Sequence, residues 1–205
     1  MIASHPLLAR RPARATPALS LLPASDELTL TQGRVHEACG LSRHTFAMWL
    51  AAKTQGTVIW ISPSWTKDNL ASDGVTAWIN PSRLLFVTPQ RGEDLLWTAE
   101  EVLRSGAVPL VVVDVPDLPN LTQIRRMHLA AETGGQNGHG YPTCLLLTPG
   151  QGGAPGVETR WHMSPKHRQG QHIWHLERRR ARAAPQKSWL ITRASSDALP
   201  QIKTA

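Results

Sequence analysis

The run Val108-Pro109-Leu110-Val111-Val112-Val113-Asp114-Val115 constrains this chain more than any other segment. It has strand length and no polar face, which predicts a central strand of a parallel sheet, covered on both sides. The flanking sequence repeats the theme. Val35-His36-Glu37-Ala38-Cys39 reads as a short extended stretch ended by Gly40. A helix follows from Ser42, at its N-cap position, with Phe46, Trp49, Leu50 and Lys53 at helical spacing. Residues 57–61 are a β-branched strand, 62–82 a loop with a weak helix around 67–72, and 83–87 a third strand. Residues 93–104 form a helix with Leu95, Leu96, Ala99, Val102 and Leu103 on one stripe and the acids Glu93 and Asp94 at its positive end. Pro119 opens another helix, which runs to about Thr133; a Gly-rich loop over 134–140 and a buried strand over 142–148 follow. This alternation predicts a doubly wound α/β sheet. Short strands at 160–163, 172–180 and 188–192 extend it as an antiparallel meander, the last two pairing as a hairpin.

With 205 residues the chain can bury one sizeable core. No apolar run approaches the roughly 18 residues of a membrane span, which excludes a membrane partner of that kind. Cys39 and Cys144 lie in apolar strand-like segments and read as small buried hydrophobes, which points to a reducing, cytoplasmic compartment. The nine histidines are scattered and lack a Cys-x-x-Cys partner, so no metal is expected. Residues 1–27 begin without acids, carry Arg10, Arg11 and Arg14, and are interrupted by prolines. They read as a flexible basic arm rather than a signal peptide. The core is expected over 28–193, with 194–205 as a disordered tail.

The first strand-to-helix junction has the placement of a phosphate-binding loop and none of its chemistry. Such a loop needs glycines to free backbone N–H groups, a lysine for the β/γ-phosphates and a hydroxyl for Mg²⁺. Here the junction reads Gly40-Leu41-Ser42-Arg43-His44-Thr45, with one glycine and no lysine. Asp114 ends its strand where a Mg²⁺-holding acid would stand, but an acid there also caps a turn or pairs with a neighbouring cation. Gly40, Ser42, Arg43, His44 and Asp114 therefore read as a degenerate nucleotide site, with no catalytic residue and no cofactor. No Gly-x-Ser-x-Gly elbow occurs.

The charge balance, 22 Lys+Arg against 15 Asp+Glu, suits an anionic partner. Most of the imbalance is C-terminal. Lys166, Arg168, Arg178, Arg179, Arg180 and Arg182 share residues 160–193 with a single acid, Glu177, and with Trp161, Trp174 and Trp189. Cations neutralise phosphates and rings stack on unpaired bases, so nucleic-acid contact, an acidic protein partner and simple sheet packing all remain open. Strand alternation puts Trp174, Leu176, Arg178 and Arg180 on one face and His175, Glu177 and Arg179 on the other. Arg125 and Arg126 sit on the helix after the central strand, with Arg126 outward, as a solvated face or a contact surface.

Residues 33–40 followed by Phe46-Ala47-Met48-Trp49-Leu50-Ala51-Ala52 resemble the opening of the RecA-type core, with the Walker A loop shortened. More closely, the chain resembles the ImuA family, RecA-like SOS mutagenesis proteins of bacteria. The stretches that carry the likeness are Val35-His36-Glu37, 57–61, 81–87, 95–107, 121–132, Thr159-Arg160-Trp161, Trp174 and Ser188-Trp189-Leu190, spanning about 28–193. The resemblance implies a RecA-like, mostly parallel sheet flanked by helices. It also implies a non-catalytic accessory role in translesion synthesis beside an ImuB-type inactive Y-family polymerase homologue and an error-prone DnaE-type polymerase. RecA itself and single-stranded DNA are further candidate partners. The competing expectations are a SulA-like inhibitor of cell division that binds a tubulin-like GTPase, a DNA-binding module on the same core, and a residual nucleotide-binding enzyme.

Overall fold

The architecture follows from how the apolar strand residues divide between two faces. In a computed structural model of the chain, residues 17–22, 27–66, 70–136, 140–194, 198 and 200–204 are described. The elements are β1 (Ala18–Ser20), β2 (Thr29–Thr31), β3 (Val35–Cys39), α1 (Arg43–Ala51), β4 (Val58–Ile61), α2 (Ser72–Thr76), β5 (Leu84–Val87), α3 (Gly92–Ser105), β6 (Leu110–Asp114), α4 (Leu121–Gln136), β7 (Thr143–Leu147), β8 (Thr159–Pro165), β9 (His172–Ala181), β10 (Lys187–Arg193) and β11 (Gln201–Thr204). One nine-stranded sheet runs in the order β5-β4-β6-β7-β3-β8-β9-β10-β11. The six strands from β5 to β8 are mutually parallel, and β9, β10 and β11 continue antiparallel.

Alternation along β6 shows why this sheet has two covers. Leu110 and Val112 join α1 residues Phe46, Trp49 and Leu50 in one cluster, while Val111 and Val113 join Leu95, Leu103 and Ile124 of α3 and α4 in the other. Each of these four aliphatic side chains is fully buried, a contribution of roughly 1.5–3 kcal/mol apiece. Arg83 ties the edge strand to α1. It donates to the carbonyls of Ala51, Thr54 and Gly56 just past the helix, where a cation suits the negative end.

Four expectations change. The presumed N-terminal arm is structured over 17–22: β1 pairs antiparallel with β2, and Leu21, Leu28 and Leu30 are completely buried in the cluster that also holds Trp161 and Trp189. Burial of these leucines outweighs the prolines that suggested flexibility. The presumed disordered tail supplies β11, which pairs with Trp189–Thr192 of β10. The helix expected around 67–72 lies at Ser72–Thr76, and residues 67–69 are outside the described set.

The Gly-rich loop starts later than expected, because α4 continues through Gly134 and Gly135 to Gln136. A Cβ on Gly134 would lie 2.0 Å from the Leu103 carbonyl oxygen and one on Gly106 2.4 Å from the Gly134 carbonyl, so both glycines serve the close crossing of α3 and α4. Helix propensity yields here to packing.

Candidate functional site

The carboxyl ends of β3, β6 and β7 meet where an open parallel sheet accepts ligands. In this chain that place is filled by its own groups. Gly40 N–H donates to the Gly150 carbonyl at 3.2 Å, Ser42 N–H to Met163 at 3.0 Å, and Arg43 N–H back to Gly40 at 3.2 Å. A phosphate cradle needs these donors free. Gly40 has φ +88°, and a Cβ there would lie 2.5 Å from the Met163 carbonyl, so the turn is pressed against the end of β8. Ser42 stands at the N-cap position of α1, but its hydroxyl makes no cap bond. Leu41 projects into solvent.

Asp114 completes the closure. Its carboxylate accepts from His44 Nε2 at 2.8 Å and lies 3.8 Å from Arg43 Nε. The acid that would hold Mg²⁺ beside a triphosphate is held instead by the His44 ring and the Arg43 guanidinium. All five residues of the expected degenerate site are thus brought together, with the N–H groups of the turn and the Asp114 carboxylate engaged within the chain.

Glu37, at the middle of β3, ties this region together. It is fully buried and accepts from Thr148 Oγ1, the N–H groups of Gly153 and Ala154, and Arg160 Nε. This network clamps the loop from β7 to β8 across the end of β3. A buried carboxylate so completely satisfied is a structural anchor, since losing Arg160 would leave its charge uncompensated. A second buried chain runs from Trp161 Nε1 to Thr159 Oγ1, from that hydroxyl to His36 Nδ1, and from His36 Nε2 to the Thr31 carbonyl. Burial pushes the His36 pKa down to about 4, so the ring is neutral. Sequence reading passed over both networks, because each turns on a pair more than 100 positions apart in the chain, Glu37 with Thr148 and His36 with Thr159.

The expected basic cluster is not one patch. Arg178 is only 7% exposed. Its guanidinium lies 5.8 and 5.3 Å from the ring centres of Trp161 and Trp189, and donates to the carbonyls of Pro185 and Glu27. It is therefore a packing residue, not a contact for a partner. Trp161, Trp174 and Trp189 are buried as well, which removes them as stacking platforms for bases. Arg179, on the opposite face, is engaged by Glu177 and Gln151. Arg180 is exposed, and Arg182 is exposed with Glu158 at 3.5 Å.

Lys166 and Arg168 are exposed at the far end of the same strands. Lys166 N–H bonds the Ile173 carbonyl, and Arg180 stands seven residues further along β9, about 23 Å away at ~3.3 Å per residue. Arg126 reaches out to Glu100 at 2.9 Å, and this acid is buried. Arg125 is exposed and lines a recess of about 330 Å³ with Arg34, His128, Leu129, Glu132, Glu158 and Arg182.

At the carboxyl end, a recess of about 310 Å³ opens beside the turn among His44, Met48, Trp78, His172, Trp174 and Arg193. A neighbouring recess of about 680 Å³ carries Lys166, Arg168 and His172 above Ile173 and Leu190. Among the described residues, no acid lines either one. The His167 ring stands edge-on to Trp174 with centres 5.1 Å apart, while His172 stacks on it at 6.2 Å. Among the described residues, the cations of the two ends thus differ in company: histidine and tryptophan rings at the carboxyl end, glutamates and leucine at the amino end.

Among the described residues, no group of three or more His, Cys, Asp or Glu is placed to hold a metal ion, and no helix is long and apolar enough to cross a membrane. Fold and site together define an α/β protein with a large, mostly parallel sheet flanked by helices, whose ligand position is occupied by its own turn. No protein-family model matches the chain, and no curated protein matches it.

Proposed function

We propose that this chain is a RecA-like accessory protein without catalytic activity that serves SOS-induced translesion DNA synthesis by docking on other proteins. Its partners in this reading are an ImuB-type inactive Y-family polymerase homologue and an error-prone DnaE-type polymerase, as in the ImuA family it resembles. The observation that carries the reading is the closed turn. The N–H groups of Gly40, Ser42 and Arg43 are spent on the protein's own carbonyls, and Asp114 is held by His44 and Arg43. A scaffold with its ligand position filled in this way has only its surfaces to work with.

Two measurements test the reading together. Calorimetry with ATP and Mg²⁺ is expected to give no binding heat at micromolar protein, and affinity capture from DNA-damaged cells is expected to recover both polymerase homologues. ATP turnover, or recovery of a tubulin-like GTPase in place of the polymerases, overturns it.

A further inference from the structure

One side of α4 leaves an apolar stripe in solvent. Leu121 and Leu129 are exposed, the latter by 62%, and Arg125 lies midway between them. The spacing of four and eight residues aligns all three on one helix face, over about 12 Å. Leu118, three residues before the helix, is exposed as well. These leucines are not needed by the core, since Ile124, Met127, Ala130 and Ala131 already fill it from the other side of the helix.

The recess beside Leu129 supplies charge. Arg34 is paired with Glu132, and Glu158 is mostly buried with Arg182 at 3.5 Å. Arg125 has no acid partner among the described residues, and Arg182 remains 64% exposed. Its third wall is inert: His128 accepts from Val35 N–H through Nδ1 and donates to the Gly156 carbonyl through Nε2. Burial holds its pKa below the ordinary value, and the ring stays neutral.

From this placement we infer that the α4 face from Leu121 to Leu129, with Arg125 and Arg182, is a docking surface for an acidic amphipathic helix of a protein partner. Exposed leucines at helical spacing accept the apolar face of such a helix, and the unpaired guanidinium of Arg125, with the largely exposed one of Arg182 beside it, matches carboxylates on its flank. A nucleic-acid strand fits less well: among the described residues no Trp, Tyr or Phe lines the recess, and both ring nitrogens of His128 are engaged, so an unpaired base finds little to stack on. The inference needs only a partner of this chemistry and stands apart from the translesion reading.

A display library of random peptides about 15 residues long, enough for four helical turns, tests it on the full-length chain. Selection is expected to enrich peptides with Leu, Ile or Phe three and four positions apart and with Glu or Asp beside them. A selected peptide is expected to bind at least about tenfold more weakly to Leu129→Asp and to the Arg125→Glu, Arg182→Glu double variant. All three positions are exposed, so the variants keep the fold, and circular dichroism checks this. The inference fails if no consensus emerges, if the consensus is basic, if the variants bind unchanged, or if an oligo-dT strand binds through Arg125 and Arg182 instead. None of these outcomes bears on whether polymerase homologues are captured from cells, so the two readings fail separately.

Discussion

Arg178 shows what a residue's type does and does not say. In the sequence it is the first of three consecutive arginines; in the fold it lies between two tryptophans and supplies hydrogen bonds to two carbonyls. Arg178→Ala opens a cavity and strands those acceptors, so a loss of about 2–4 kcal/mol is expected by urea denaturation. Arg180→Ala is expected to stay within about 0.5 kcal/mol, because the side chain is exposed. Equal losses for the two would overturn the assignment. The thiols make a similar contrast between presence and availability: burial pushes Cys39 up to about 11 and Cys144 up to about 12. Neither is expected to react with an aromatic disulfide reagent at pH 8 until denaturant is added, and rapid native labelling would show the burial to be wrong. Asp114→Ala removes the acceptor of His44, between partly exposed groups, and should cost only about 1 kcal/mol.

At the scale of elements, glycine pairs and buried hydrogen-bond chains matter more than propensity. The α3–α4 crossing leaves no room at Gly134, where a Cβ would meet the Leu103 carbonyl at 2.0 Å. Gly134→Ala, which helix propensity alone would favour by roughly 1 kcal/mol, is expected to destabilise instead, by about 1–3 kcal/mol. A thermal melt that rises on this substitution would mean the helices can separate without cost. Between β2, β3 and β8, His36 joins three strands as a neutral ring whose pKa is lowered from 6.5 to about 4. The unfolded chain therefore binds more protons than the folded one across that interval. Stability present above pH 6.5 is lost as the pH falls, by about 2 kcal/mol at pH 5. The fall should flatten in His36→Gln, followed by urea midpoints between pH 7.5 and 5; identical slopes would remove His36 as the cause.

For the whole molecule, the sheet's two ends matter more than its total charge of +7. Strand direction sends Lys166 and Arg168 to the carboxyl end and Arg180 and Arg182 to the amino end, so one contiguous charge run in sequence becomes two surfaces. Period and composition made the central architecture legible: the apolar run at β6, the amphipathic α3 and the tight turn at Gly40 follow from local rules that act over a few residues. The pairing of His44 and Arg43 with Asp114 was foreshadowed only as one of two uses for a strand-end acid. Local rules could not supply the β1–β2 ribbon, the pairing of β11, the clamp on Glu37 or the burial of Arg178. Each of these depends on contacts between residues far apart in the chain, where burial and hydrogen-bond satisfaction are decided by what the fold brings alongside. The sequence by itself determined which segments extend, which coil and that the phosphate loop lacks its chemistry. Only the tertiary structure decided which cations face solvent, because exposure is a property of neighbours and not of residue type.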